Sequence, residues 1–214
     1  MLSAVLVAAA AALSPSPLAD ARFEGLSRFQ TETVRSLARH APPQGRRVLR
    51  LLAPHLVFRP GAAEDLGGGD LVTTEVGARS VRFTVTLAPR TRHGGRFGRH
   101  MILHELGHAV DTGLMTHTDR LAWDFAFSGA PRWLTCFPMP PNPSNTRCVP
   151  AAEIFADQFA FYANGDRGIR SGYNVPPLLR RAQFDALLRR AVPGRPGTLL
   201  TARRVLSSVS AGSA

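Results

Sequence analysis

The sequence contains no lysine, so all 26 of its basic residues are arginines, against 15 acidic residues. We interpret the missing lysine as a bias toward GC-rich codons rather than as a functional choice. The formal charge of +11 predicts attraction to anionic partners. Long basic runs are absent, however, and only 7% of the residues are aromatic. This composition argues against specific nucleic-acid binding and leaves anionic cell-surface polymers as candidate partners.

Long apolar runs are missing beyond the N-terminus. Residues 2–13 are apolar and alanine-rich, residues 14–17 read Ser-Pro-Ser-Pro, and Ala19-Asp20-Ala21 is typical of a signal-peptide cleavage site. We predict a signal peptide over residues 1–21 and a secreted or cell-envelope protein. The run carries no arginine, so a short apolar helix or a misassigned start is the alternative. No later stretch is long enough to cross a bilayer, and the mature chain should lack a transmembrane segment.

Cysteine is equally scarce, since Cys136 and Cys148 are the only two. They lie in a proline-rich stretch over residues 128–150. An even, minimal count in an exported chain predicts a disulfide that closes this loop. Two reduced thiols in a cytosolic protein are the alternative.

A chain of 214 residues with 44% hydrophobic and 19% charged residues suits one folded domain, here over residues 22–214. Alternation of apolar and polar residues over 78–87 predicts a half-buried strand. Residues 47–57 are apolar and fit either a helix or a strand. The remaining periodic segments predict helices over 22–39, 99–110, 118–127, 151–163 and 183–191.

The predicted helix over 99–110 carries the pattern H-E-x-x-H at His104, Glu105 and His108. Two histidines four residues apart lie on one helical face and can bind one metal ion, while the glutamate between them can take a proton from water. Gly107 offers a place where a second helix could approach closely. Structural zinc sites have four protein ligands, usually with thiolates, whereas three ligands and an open position are typical of catalysis.

A third ligand is available on the predicted helix over 151–163. Glu153 and Asp157 are four residues apart, so their carboxylates project from one face. The apolar residues around them, such as Phe155 and Phe159, argue against a merely solvated acidic face. Asp111, three residues after the second histidine, could support the same site, with a capping or surface role as the alternative.

The segments HELGHAVD (104–111) and EIFADQFAFY (153–162) together resemble the gluzincin metallopeptidases, and more narrowly the lethal-factor-like family that includes the Pro-Pro endopeptidases. The similarity covers about residues 78–188. It implies that His104, His108 and Glu153 bind Zn²⁺ and that Glu105 is the general base. Asp157, and by the same reasoning Asp111, would then orient a ligand histidine through a hydrogen bond.

One feature departs from this family, whose members place a tyrosine about two helical turns before the glutamate ligand to stabilise the transition state. Residues 144–150 contain no tyrosine here. Tyr162, nine positions after the glutamate ligand, is expected to face away from the site. We assign the donor role to Tyr173 in a later loop, with anchoring of that loop as the alternative and His117 and Arg147 as further candidates.

These patterns predict an α+β fold: a small mixed sheet, the H-E-x-x-H helix, and a following helix with the third zinc ligand. The predicted function is zinc-dependent hydrolysis of peptide bonds, with a peptide or protein as substrate. The alternatives are a catalytically silent zinc-binding protein and a basic protein that binds the cell envelope.

Overall fold

The computed structural model describes residues 15–61, 71–76, 81–88, 95–128, 136–137, 149–165 and 179–191. Within these ranges the chain forms an α+β fold in which six helices accompany a four-stranded sheet and a two-stranded one. The predicted fold class is therefore confirmed.

The larger sheet is mixed and has the strand order β1-β2-β4-β3. Its strands are β1 (Arg22–Phe23), β2 (Leu56–Pro60), β3 (Leu71–Val76) and β4 (Val81–Leu87). Strand β2 is parallel to both β1 and β4, whereas β3 is antiparallel to β4, with Thr74 opposite Phe83. Thr84 and Thr86 of β4 are buried along with its apolar residues. The alternation had predicted that these threonines face solvent.

The first helix, α1 (Arg28–His40), begins six residues later than predicted. Ser27 and Gln30 form a capping box. The Ser27 Oγ accepts a hydrogen bond from the main-chain N–H of Gln30, and the Gln30 Oε1 accepts one from the main-chain N–H of Ser27. This cap fixes the start of the helix and leaves Arg22–Phe23 free to join the sheet. The helix ends before Pro42-Pro43, as expected, because proline cannot continue it.

The segment that fitted either a helix or a strand contains both. Helix α2 (Pro43–Leu52) starts with proline at its first position and is followed by a 3₁₀ turn (Ala53–His55) and then by β2. Every large apolar side chain of residues 47–57 except Leu51 is buried, whether it belongs to the helix or to the strand. Hydrophobicity alone therefore could not separate the helix from the strand.

Four further helices complete the described fold: α3 (Arg96–Leu114), α4 (His117–Ser128), α5 (Ala151–Ala163) and α6 (Arg181–Ala191). Helix α3 contains the H-E-x-x-H pattern and is longer than predicted, whereas α5 has the predicted bounds. Helix α3 packs most extensively against α5 and also contacts β3 and β4. The two helices with the predicted ligands are thus direct neighbours.

The hydrophobic core includes Leu18, which has no exposed surface and lies within the predicted signal peptide. Ala21, at the predicted cleavage site, is also buried in this core. A cut after Ala21 would therefore remove a core side chain. In the described part of the chain, no helix is both long and apolar enough to cross a membrane.

A second, two-stranded sheet pairs β5 (Cys136–Phe137) with β6 (Val149–Pro150), and Cys136 lies opposite Pro150. This pairing brings Cys136 near the part of the chain that contains Cys148. Cys148 itself lies outside the described residues, so the disulfide remains a prediction.

Candidate metal centre

Helices α3 and α5 approach each other unusually closely at Gly107. A methyl group on this residue would lie 2.7 Å from Ala156 Cα and 2.9 Å from the Ala156 carbonyl oxygen. Glycine is needed there because backbone atoms, unlike a side chain, cannot rotate out of the way. The close approach predicted from the sequence is present, and it places the histidines of α3 beside the carboxylates of α5.

His104, His108 and Glu153 meet at this interface. The His104 Nε2 lies 3.1 Å from the His108 Nε2 and 3.2 Å from the Glu153 Oε2, and the His108 Nε2 lies 3.5 Å from the Glu153 Oε1. Ligands bound tetrahedrally to zinc at about 2.0–2.1 Å are separated by about 3.3–3.4 Å. The three side chains therefore have the chemistry and the spacing to hold one metal ion.

The same three groups are electrostatically coupled. Burial would lower the pKa of His104, but hydrogen bonds with Asp157 and Glu153 and the negative charges of Asp157 and Glu105 raise it to about 9. The two histidines hold the pKa of Glu153 well below its usual range, although burial acts in the opposite direction. Negative charge is thus concentrated around His104, where a bound cation would take the place of a proton.

Asp157 lies behind His104. Its Oδ1 is 2.9 Å from the His104 Nδ1, the ring nitrogen that does not face His108 and Glu153. Asp157 is only 4% exposed. A carboxylate in this position fixes the tautomer and the ring orientation of the histidine, so that the Nε2 lone pair is available to a metal. The structure thus places Asp157 where the sequence analysis expected it.

The same Asp157 oxygen has a second imidazole partner that the sequence analysis missed. The His100 Nε2 lies 2.9 Å from Asp157 Oδ1, and His100 is buried. His100 precedes His104 by four residues, so the spacing could have revealed it as a third histidine on this helical face.

Glu105 is buried and lies between the two predicted histidine ligands on α3. Its negative charge contributes to raising the pKa of His104. The carboxylate therefore acts electrostatically on His104.

Asp111 takes part in a buried ion pair. Its Oδ1 accepts from Arg120 Nε at 2.6 Å, and its carbonyl oxygen accepts from Arg120 Nη2 at 3.0 Å. Burial raises the pKa of Asp111, although Arg120 acts in the opposite direction. The pair connects α3 to α4. Within the part of the chain that the structure describes, Asp111 makes no hydrogen bond to a ligand histidine, and the surface role offered as its alternative is wrong because the residue is buried.

The structure describes two of the four residues considered as stabilisers of the transition state. Tyr162 is buried and donates to Asp185 Oδ1 at 2.5 Å, so it faces away from the centre, as expected. His117 begins α4 and is partly exposed. Tyr173 and Arg147 lie outside the described residues, and their roles remain predictions.

No protein-family model, curated protein or solved structure matches this chain.

Proposed function

We propose that this protein is a zinc-dependent endopeptidase, secreted or held at the cell envelope. The observation that carries the proposal is the triangle of His104 Nε2, His108 Nε2 and the Glu153 carboxylate, with separations of 3.1–3.5 Å. These are three ligands on two helices, without a thiolate. Such a set is typical of catalytic zinc rather than of structural zinc.

The residues around the triangle support the same function. Asp157 holds His104 in the tautomer that a ligand requires. Glu105 directly follows His104 along α3, and in the H-E-x-x-H pattern this position belongs to the general base. The similarity to the lethal-factor-like family rests on these same residues and adds the expectation that the substrate is a peptide or a protein.

When bound here, zinc supplies Lewis acidity, which makes water nucleophilic near neutral pH and polarises a peptide carbonyl. Glu105 takes a proton from the attacking water and delivers it to the amine of the departing peptide. His104 and His108 supply neutral imidazoles and Glu153 supplies one negative charge. Tyr173 is the proposed donor to the developing oxyanion, a role that the family assigns to a tyrosine elsewhere in the chain.

The edge of the sheet supports an extended substrate. Strand β3 has β4 on one side and no other described strand on its second side, and it contacts α3. An extended peptide could add to this edge through main-chain hydrogen bonds, which would hold its scissile bond beside α3.

The test is Glu105→Gln in the full chain, with cleavage of a peptide library and bound zinc measured together. The amide cannot accept a proton, so turnover should fall by about 10²–10⁴-fold while zinc binding persists. Glu32→Gln is the matched control, because Glu32 is an exposed glutamate paired with Arg39 on α1. Unchanged turnover in Glu105→Gln would refute the mechanism.

The two alternatives give different results in this assay. A silent zinc-binding protein would bind one zinc ion per chain and cleave no peptide. A basic envelope-binding protein with a fortuitous motif would bind no zinc at the triangle, and Glu153→Ala would then leave its metal content unchanged.

A further inference from the structure

His100 has no part in the reaction proposed above, yet it lies in the middle of the α3–α5 interface. It precedes His104 by one helical turn, is 5% exposed, and places its Nε2 2.9 Å from Asp157 Oδ1. The His104 Nδ1 lies 2.9 Å from the same oxygen. One carboxylate oxygen therefore joins two imidazole rings on successive turns of α3.

The positions of the hydrogens follow from the geometry. A carboxylate oxygen only accepts hydrogen bonds, and its lone pairs can accommodate two donors. Both the His100 Nε2 and the His104 Nδ1 must therefore carry a hydrogen. When a metal ion replaces the second ring proton of His104, the lone pair of its Nε2 points toward His108 and Glu153, as a metal ligand requires.

Packing alone does not account for histidine at position 100. Its Nδ1 is buried and has no hydrogen-bond partner among the residues that the structure describes. A buried, unpaired polar nitrogen destabilises a fold, and an apolar side chain of similar size would avoid this cost. What the imidazole offers in compensation is the hydrogen bond to Asp157.

We propose that His100 is a positioning residue for the metal centre. It gives Asp157 Oδ1 a second hydrogen bond beside that from His104, so that Asp157 keeps the His104 ring in the orientation and tautomer that binds the metal. The inference rests on the metal centre of the proposed function, but it does not depend on peptide hydrolysis.

Two variants separate the hydrogen bond from the volume of the side chain. His100→Gln places an amide donor near the position of the imidazole Nε2, whereas His100→Met fills similar space without a donor. Loss of a residue that orients a metal ligand typically weakens metal binding by about 10–100-fold. We expect the lower end, about tenfold, for His100→Met, because His100 acts on the ligand His104 only through Asp157. His100→Gln should remain close to the wild type.

The measurement is Zn²⁺ affinity of the full chain by competition with a chromophoric chelator. Two further readouts are the His104 tautomer, from the ¹H–¹⁵N spectrum of the imidazoles, and the melting temperature of the metal-free protein. His55→Met is the matched control, because His55 is a partly buried histidine whose Nδ1 lies 2.9 Å from the Val81 carbonyl oxygen. It should leave the Zn²⁺ affinity unchanged.

Weaker Zn²⁺ binding and a mixed His104 tautomer in His100→Met, with both restored in His100→Gln, would support the proposal. Wild-type affinity in both variants would overturn it. Equally weakened Zn²⁺ binding in both variants, with a lower melting temperature of the metal-free protein, would also overturn the proposal and indicate a structural role for His100. Two zinc ions in the wild type and one in both variants would instead make His100 a ligand. A wild type that binds zinc but cleaves no peptide would refute the peptidase and leave the role of His100 intact.

Discussion

Replacing Gly107 with alanine tests whether the metal centre depends on the close approach of α3 and α5. The new methyl carbon would lie 2.7 Å from Ala156 Cα, 2.9 Å from the Ala156 carbonyl oxygen and 3.1 Å from Phe159 Cβ. Carbon atoms in contact prefer about 3.5–4.0 Å, so the nearest pair falls short by at least about 0.8 Å. Two of these three atoms belong to the backbone, and the helices themselves must separate.

The effect on stability is the sum of two opposing contributions. Alanine favours a helix over glycine by about 1 kcal/mol. Inserting a methyl group into a tightly packed interface costs about 1–3 kcal/mol. The free energy of unfolding of the metal-free protein should therefore fall by about 0–2 kcal/mol, which lowers the melting temperature by a few degrees for a domain of this size.

The Zn²⁺ affinity should decrease by more than the stability of the metal-free protein does. The separations that cross the interface, 3.2 Å from His104 to Glu153 and 3.5 Å from His108 to Glu153, already match a tetrahedral zinc ion. Opening the helices by even half of about 0.8 Å would widen these two separations to about 3.6 and about 3.9 Å, beyond the roughly 3.3–3.4 Å between tetrahedral zinc ligands. We expect Zn²⁺ affinity to fall at least about tenfold, as for the loss of a residue that orients a ligand.

Chelator competition and thermal unfolding of the metal-free protein provide the two measurements. Gly95→Ala is the matched control, because a methyl group on Gly95, at the start of the same helix, would meet no atom within 4 Å. Its Zn²⁺ affinity should equal that of the wild type. If Gly107→Ala raised the melting temperature and kept full affinity, helix propensity alone would explain it, and the close approach would be refuted.

Three further predictions concern parts of the chain beyond this interface. Mass spectrometry of secreted protein should show Cys136 and Cys148 as a disulfide, and two free thiols in such material would contradict the pairing. Tyr173→Phe should lower turnover by about 10²–10³-fold with unchanged stability if its hydroxyl stabilises the oxyanion, whereas unchanged turnover would leave only an anchoring role. A chain that starts at Arg22 lacks Leu18, whose burial contributes about 2 kcal/mol, so it should melt below a chain that starts at Pro15. Equal melting temperatures would show that Leu18 does not stabilise the domain, and N-terminal sequencing would identify the natural start.

The sequence predicted most reliably those elements whose signals are local. Helix α5 runs from Ala151 to Ala163 as expected, because Pro150 precedes it and apolar residues continue through every turn. The strand ending at Leu87 was also recognised from its alternation. The capping box at Ser27 and Gln30 was present in the sequence as well, and it would have placed the start of α1 correctly.

Elements that depend on distant partners could not be predicted. Strand β1 consists of Arg22 and Phe23 and exists because it pairs with β2, more than thirty residues later. Thr84 is buried although the alternation of β4 places it on the polar side of the strand. The role of Arg120 as the ion-pair partner of Asp111 emerged only from the structure.

The candidate site shows a similar division. The spacing of His104 and His108 on one helix is a local pattern and was found at once. Glu153 contributes to the ligand triangle and Asp157 lies behind His104 because of the way α5 packs on α3. The sequence suggested these two roles only through a resemblance to a family. His100 was within reach of the same helical spacing but stood outside the familiar pattern.

The division of the ligands between α3 and α5 has a consequence for the order in which the protein acquires its chemistry. During synthesis both histidines leave the ribosome at least 45 residues before Glu153. Until α5 has emerged and packed against Gly107, the nascent chain can offer a metal two imidazoles, but neither the carboxylate ligand nor the Asp157 hydrogen bond. The three candidate ligands can therefore come together only after more than two thirds of the chain has been made.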